Sequence, residues 1–384
     1  MEAAQILFEL IRVAVCGNTP TKELKNACTP EALEQVYDLA SHHDLAHLAG
    51  QGASRLLLSD SEPLQKCKKA AIQAFMRHAR QEYAYGSICT LLEQAAIPFI
   101  PLKGSVLRRF YPEGWMRTSC DLDILVHEED LVRAQPVLEE KGWVFRDKTS
   151  HDLAFVSPEG IHLELHYSTI EDYVSQAGKK IMDSIWQVAT TLPEKQYHMV
   201  IPDALYYYYH MAHMAKHFVH GGCGIRAFLD IWILNHRMEF DAAARQKLLE
   251  EGALTAFAKG AEQLAEIWFS GAPMDENARV FQEFVLSGGT YGSVRNRVSL
   301  QQGKKGGKLK FALERIFLPY DILKHQFPVL QKHKWLTPIF HVVRWFRLLF
   351  CGGVKRSVHE LQTTAAVSGD EQAAVQKLIR HLGL

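Results

Sequence analysis

Three acidic residues in two separate segments have the types and spacing of a cation site. Asp121 and Asp123 open the run Asp121-Leu122-Asp123-Ile124-Leu125-Val126, which alternates acid and aliphatic before becoming fully apolar. That pattern predicts a strand with one buried face. Residues two apart on a strand project from the same side, so the two carboxylates stand together and repel unless a cation lies between them. Glu164 lies in a second alternating run, Ile161-His162-Leu163-Glu164-Leu165-His166. If the two runs pair side by side, Glu164 becomes a third acid at the same edge. A few carboxylates completed by phosphate oxygens suit Mg²⁺. Such a centre lowers the pKa of an attacking hydroxyl and clamps both sides of an in-line phosphoryl displacement.

An Asp-x-Asp pair also occurs on solvated strand ends, so alone it does not separate chemistry from surface. The upstream residues favour chemistry. Gly104-Ser105 follows the short β-prone run at 97–102 and opens a helix at 106–110. Free N–H groups and the helix dipole bind phosphate at such a place. Lys103 and Arg117 add positive charge nearby.

The elements that must position these residues have readable periods. Thr29-Pro30-Glu31 is a helix start, with a capping hydroxyl, Pro at the first helical position and an acid near the positive end of the dipole. A long helical pattern covers 63–95, interrupted only by Gly86. Residues 128–141 form an amphipathic helix stopped by Gly142, and 153–156 pairs with 161–166 as a hairpin around Pro158-Glu159-Gly160. From about Ser168 the pattern is helical to the end, clearest at 206–220 and 226–236. The fold class read from these periods is α+β, with strands set between helical regions. The expected divisions of the chain are 1–90, a core at 91–170, a helical region lining the cleft at 171–300, and a C-terminal helical extension at 301–384.

With these residues placed, the chain resembles a known family. Leu102-Lys103-Gly104-Ser105, Tyr111-Pro112, the run from Arg117 through Val126, and Leu163-Glu164-Leu165-His166 look like the uncharacterised bacterial nucleotidyltransferases of the DNA polymerase β-like superfamily. The resemblance implies a nucleotidyltransferase fold, a small mixed sheet with flanking helices, in which Asp121, Asp123 and Glu164 hold Mg²⁺ or Mn²⁺, with Glu164 as ligand or general base. It implies that Gly104 and Ser105 hold the triphosphate. Lys103 stands where the superfamily usually has an apolar residue, and the interval from Ser105 to Asp121 is long for it.

Four histidines, His210, His213, His217 and His220, recur at spacings that place them on one helical stripe. The simplest reading is a polar packing face. In a second, His213 and His217 line the far wall of the cleft and touch nucleotide. In a third, the stripe binds zinc, though no His-Glu-x-x-His pattern or cysteine pair accompanies it. Arg226 and Asp230, four apart, read most simply as a helix-surface ion pair; alternatively Arg226 faces the cleft and meets phosphate. The tyrosines at 206–209 point in four directions and read as packing. Trp335, Trp345, Phe346 and Phe350 read as a C-terminal helix covering the core with Arg344 and Arg347 exposed. Lys304, Lys305, Lys308 and Lys310 read as a solvated basic loop.

Composition narrows the class further. The 43 Lys and Arg residues balance 43 Asp and Glu residues, so no general attraction to nucleic acid or anionic membrane is expected. Seven cysteines without a CxxC pair point to a reducing compartment. The charged N-terminal segment does not read as a signal peptide, and no segment reads as a membrane span. A cytoplasmic enzyme is expected, moving a nucleoside monophosphate from an NTP, with ATP the first choice, to a hydroxyl acceptor. A small acceptor comes first because the net charge is zero. A protein or tRNA acceptor, as in toxin-like relatives, and a catalytically inactive nucleotide-binding module are the alternatives.

Overall fold

The computed structural model describes residues 1–169, 175–290, 292–293, 295–297, 299–300, 317–350 and 369–384. The chain starts with helices α1 (Ala3–Ile11), α2 (Lys22–Ala27), α3 (Pro30–His42), α4 (Ala46–Ser54) and α5 (Glu62–Gln94). The Thr29 hydroxyl caps α3 by accepting from the Ala32 N–H, with Pro30 behind it. Helix α5 runs unbroken through Gly86 and carries the sheet on Ala84, Ile88 and Leu92.

Five strands follow: β1 (Phe99–Pro101), β2 (Asp121–Val126), β3 (Val144–Lys148), β4 (Asp152–Val156) and β5 (His162–His166). Between them lie the one-turn helix α6 (Gly104–Leu107) and the amphipathic α7 (Leu131–Glu140). The spatial order is β1-β2-β5-β4-β3, with β2 and β5 parallel and the other pairs antiparallel. Asp123 pairs in register with Glu164, and Asp121 with His162. Leu122, Ile124, Leu163 and Leu165 are fully buried on the opposite face. Burying each such side chain contributes about 1.5–3 kcal/mol, enough to hold the register that places the acids together.

The hairpin joining β4 and β5 forms as the sequence predicts. Strand β3 went unread there because every residue in it is exposed, so no alternation marks it. The reading that the chain is helical from Ser168 onward also needs correction. A two-stranded hairpin, β6 (Thr190–Thr191) with β7 (Met199–Val200), interrupts the helices.

Beyond the sheet come α8 (Gln176–Asp183), α9 (Ile185–Val188), α10 (Asp203–His220), α11 (Ile225–Arg237), α12 (Ala242–Glu251), α13 (Thr255–Ser270) and α14 (Glu276–Leu286). Helices α10 and α11 meet at Gly221-Gly222, whose positive φ angles of 148° and 113° suit residues without a Cβ. One hydrophobic core joins Ile6, Leu10 and Val36 near the N-terminus to Phe218, Phe228, Trp268 and Ile379. The tyrosines at 206–209 are all buried, as packing predicts.

The C-terminal aromatic helix, Thr337–Phe350, does not cover that core. Phe340 joins a separate small cluster with Leu318, Leu323 and Leu330, while Trp335, Ile339 and Phe346 are exposed. The basic segment holding Lys304, Lys305, Lys308 and Lys310 lies outside the described residues. Among the described residues, no helix is long and apolar enough to cross a membrane.

Candidate active site

The site grows from the edge where β1, β2 and β5 lie side by side. The Leu102 N–H donates to the Asp123 carbonyl at 2.9 Å, which extends the β1–β2 pairing to the threshold of Lys103. Lys103 then turns sharply, with φ 45° and ψ −121°. A non-glycine residue in such a region stores roughly 1–3 kcal/mol of strain and persists only when its surroundings hold it. Two contacts do so. The Tyr206 hydroxyl donates to the Lys103 carbonyl at 2.8 Å, and the Lys103 ammonium donates to Asp123 Oδ1 at 2.6 Å. Gly104 follows with little room for a side chain, since a Cβ there would lie 3.1 Å from that of Ser119.

A cavity of about 300 Å³ opens over this edge. Its floor is Asp121, Asp123 and Glu164; Lys103 and Gly104 form one side. Helix α10 supplies His210, His213, Lys216 and His217, and α11 supplies Arg226. Carboxylates thus face a wall of cations and imidazoles across a space that fits a small polyanion.

The floor is electrostatically uneven. Burial works to raise the Asp123 carboxyl, but the Lys103 charge and a 2.9 Å hydrogen bond from His166 Nε2 hold it well below the usual carboxylate range. At Asp121 the Lys103 charge is outweighed. Burial, followed by the neighbouring Asp123 and Glu164 charges, pushes it up to about 6. Burial depresses Lys103, yet the Asp123 charge outweighs it and keeps the ammonium protonated.

The wall behaves oppositely. Burial first, then the Lys103 charge, drives His213 well below its ordinary value. His217 is pushed down to about 4 by burial and then by Lys216. Lys216 itself falls to about 8 through burial and the Lys103 charge. At neutral pH the wall therefore presents neutral imidazoles and cationic Lys103, Lys216 and Arg226.

The donor set fits a divalent cation. Asp123, Glu164 and His166 offer ligating atoms within 4.8 Å of one another, and Asp121 lines the same cavity outside that trio. The Lys103 ammonium touches Asp123 and reaches within 3.8 Å of Glu164. Oxygen-rich sites of this kind suit Mg²⁺ or Mn²⁺.

A family model described as an uncharacterised nucleotidyltransferase matches residues 29–270. The chain belongs to that family. The matched span contains the whole cavity, from Lys103 to Arg226. No curated protein and no solved structure matches the chain.

Within this nucleotidyltransferase the structure brings together Asp121, Asp123, Glu164, Lys103, Gly104, Arg117, His213, His217 and Arg226 around one cavity. It does not bring in the Ser105 side chain. Ser105 lines a neighbouring cavity with Tyr85 and Tyr206, and its Oγ is buried without a hydrogen-bond partner. Ser119 lines the cavity, its hydroxyl accepting from Arg108 at 2.7 Å and donating to the Asp121 carbonyl at 3.1 Å.

The expected Arg226–Asp230 pair does not form. Asp230 is 1% exposed and accepts from Arg117 Nε and from the Tyr111 hydroxyl, each at 2.7 Å. Arg226 instead pairs with Asp44 and donates to the Thr118 carbonyl at 3.2 Å. Spacing of four favours a pair only when both side chains stay on the helix surface, and Asp230 faces inward. Arg117, locked to Asp230, ties the segment ahead of β2 to α11.

The histidine stripe divides. His210, His213 and His217 line the cavity, and the Nε2 atoms of His213 and His217 lie 3.2 Å apart. His220 is exposed and bonds the Lys216 carbonyl. Among the described residues, the trios of metal-ligating groups that converge within 4.8 Å draw on none of the four, so the zinc reading finds no support.

Sequence reasoning missed His166 and Lys216. His166 follows Glu164 by two on β5, so the alternation that aligned Asp121 with Asp123 also placed it on the acidic face. Lys216 lies between His213 and His217 in sequence, and no motif singles it out.

Proposed function

We propose that this nucleotidyltransferase moves a nucleoside monophosphate from an NTP, ATP first among them, to a hydroxyl on a small acceptor. The observation that carries the reading is the alignment of Asp123 with Glu164 on adjacent parallel strands, facing Lys103, Lys216 and Arg226 across one cavity. Asp121, Asp123 and Glu164 would hold Mg²⁺. When bound, that ion supplies charge neutralisation for the phosphates and a more acidic acceptor hydroxyl.

The chain's own residues do the rest. Lys103, Lys216 and Arg226 orient the triphosphate and balance its charge, and the Gly104 backbone lets it approach closely. Glu164, partly exposed beside the floor, accepts the proton of the acceptor hydroxyl. The acceptor oxygen forms the new bond to the α-phosphorus as the bond to the β-phosphate oxygen breaks, and pyrophosphate leaves with that electron pair. Neutral His213 and His217 line the wall without adding charge.

One observation favours a second reading, a nucleotide-binding module without turnover. The Lys103 ammonium already bridges Asp123 and Glu164, where a lysine can stand in for a cation. Titrating ATP with and without Mg²⁺, then measuring pyrophosphate release over a library of hydroxylated small molecules, peptides and tRNA, separates the readings. Transfer requires Mg²⁺-dependent release that Asp121→Asn and Asp123→Asn abolish. Tight ATP binding indifferent to Mg²⁺, with no release for any acceptor, establishes the module.

A further inference from the structure

Beside the acidic floor, a second group of ligating side chains gathers at the far end of β4 and β5. His151, Asp152 and His166 each offer a ligating atom, all within 4.8 Å of one another. Asp152 and His166 face each other in register across β4 and β5. The His151 and His166 rings stack with centroids 6.0 Å apart, and His151 Nε2 lies 3.2 Å from Asp152 Oδ2.

Two features give this trio the makings of a metal site. First, His166 Nε2 donates to Asp123 Oδ1 at 2.9 Å and lies 3.3 Å from Glu164 Oε2. Carboxylates on one ring nitrogen fix the ring's orientation, as they do for metal-ligating histidines. Against the effect of burial they also raise its proton affinity, so the other nitrogen binds a cation by giving up its proton. Second, Asp152 is itself oriented, because its Oδ1 accepts from the Thr149 hydroxyl at 2.9 Å. The Thr149 carbonyl in turn accepts from the Tyr167 hydroxyl at 2.7 Å. Asp152 and His166 are buried, while His151 is half-buried and gives solvent a path in.

We propose that His151, Asp152 and His166 form a second metal site, selective for Zn²⁺-like cations over Mg²⁺. Two imidazoles and one carboxylate suit Zn²⁺ and its neighbours, whereas the carboxylate-rich floor suits Mg²⁺. Ligand distances of about 2.0–2.2 Å require the three groups to draw in by about 1 Å, which the half-buried His151 can supply. Three protein ligands leave a fourth position to water. Occupancy pins the turn at 149–152 to the end of β5 and locks His166 in the tautomer that donates to Asp123. This inference is independent of the transfer reaction, since it concerns binding alone.

The test uses the full chain and Co²⁺ as the probe, without nucleotide and with Mg²⁺ in excess. We expect tight Co²⁺ binding, a visible d–d band of low-coordinate type and a rise in melting temperature. His151→Ala and Asp152→Asn should each weaken Co²⁺ binding about 100-fold, as loss of a ligand does at least as much harm as loss of its supporting partner. Melting of the metal-free His151→Ala protein at the native temperature shows that the loss is not unfolding. The proposal is overturned if Co²⁺ does not bind or if Mg²⁺ displaces it. It is equally overturned if binding survives His151→Ala and is removed instead by Glu164→Gln or by the pair His213→Ala and His217→Ala.

Discussion

The Lys103 ammonium lies 2.6 Å from Asp123 Oδ1 and 3.8 Å from Glu164 Oε2, so one lysine ties together two acids on neighbouring parallel strands. The backbone at Lys103 is strained to make this reach, with φ 45°. Asp123 is 2% exposed and cannot call on water for compensation. The lysine therefore compensates the charge on the floor.

Lys103→Met should consequently destabilise the metal-free protein. Removing one partner of a buried pair costs about 3–5 kcal/mol, and the lower end applies because Lys103 is 21% exposed. Relief of backbone strain does not offset this, since Met keeps its Cβ. Mg²⁺ should recover part of the loss by compensating Asp123, so it should raise the melting temperature of the variant more than that of the native chain. Equal shifts in EDTA-against-Mg²⁺ melts would refute this account of the floor.

Arg117 and Arg226 both touch the cavity, yet they should fail differently. Arg117→Ala leaves Asp230 buried with only the Tyr111 hydroxyl and His210 nearby, and should cost about 3–5 kcal/mol in urea unfolding. Arg226→Ala breaks a contact with the half-exposed Asp44 and should cost about 1 kcal/mol or less. Its effect belongs in ATP affinity, which should fall about tenfold. If Arg226→Ala unfolds the protein while Arg117→Ala is tolerated, the roles are reversed.

The contrast between these arginines shows what could be read beforehand. The acids, the Lys103-Gly104 turn and strands β2, β4 and β5 were legible because strand alternation is a local signal. The β4–β5 hairpin carried its own turn residues. Asp230 was misread because its partner stands 113 positions away, and nothing in a four-residue spacing reveals which face of α11 is buried. Asp44 and His43 come to α11 from the far end of α3, a contact with no local trace. Strand β3 pairs through its backbone while exposing every side chain, so a method built on burial could not see it. Ser105 was assigned by motif, and only coordinates show its hydroxyl buried beside the neighbouring cavity.

Two buried histidines between the N-terminal helices and the site should make the fold acid-sensitive. His43 and His47 are 0% and 3% exposed, and burial pushes each down to about 4. His43 Nδ1 accepts from the Ile225 N–H at 3.3 Å, and His47 Nε2 donates to the Met116 carbonyl at 2.9 Å. Because the unfolded chain binds these protons more readily, stability is full above pH about 6.5 and falls as pH drops towards 4. Each contributes roughly 2–3 kcal/mol over that window. His43→Asn keeps an acceptor for Ile225 without titrating there, so its unfolding free energy should fall less steeply between pH 6.5 and 4.5. An unchanged slope would remove His43 from the account.

The last expectation concerns Lys216, whose ammonium faces the cavity with its value lowered to about 8 by burial and by Lys103. A triphosphate prefers the protonated amine, so ATP binding should take up a proton and weaken as pH rises from about 7 to 9. The sign follows because the favoured ligand state is the one lost above the amine's own titration. A charged hydrogen bond to phosphate contributes about 1.5–3 kcal/mol, or roughly tenfold to a hundredfold in affinity. Lys216→Ala should therefore bind ATP more weakly at pH 7 yet approach native affinity near pH 9.5, with a flattened profile between. Lys216→Arg should retain affinity and lose the pH dependence, since guanidinium stays charged throughout. Calorimetric titrations at four pH values decide the matter, and a Lys216→Ala profile parallel to the native one would show that the lysine does not meet the phosphates.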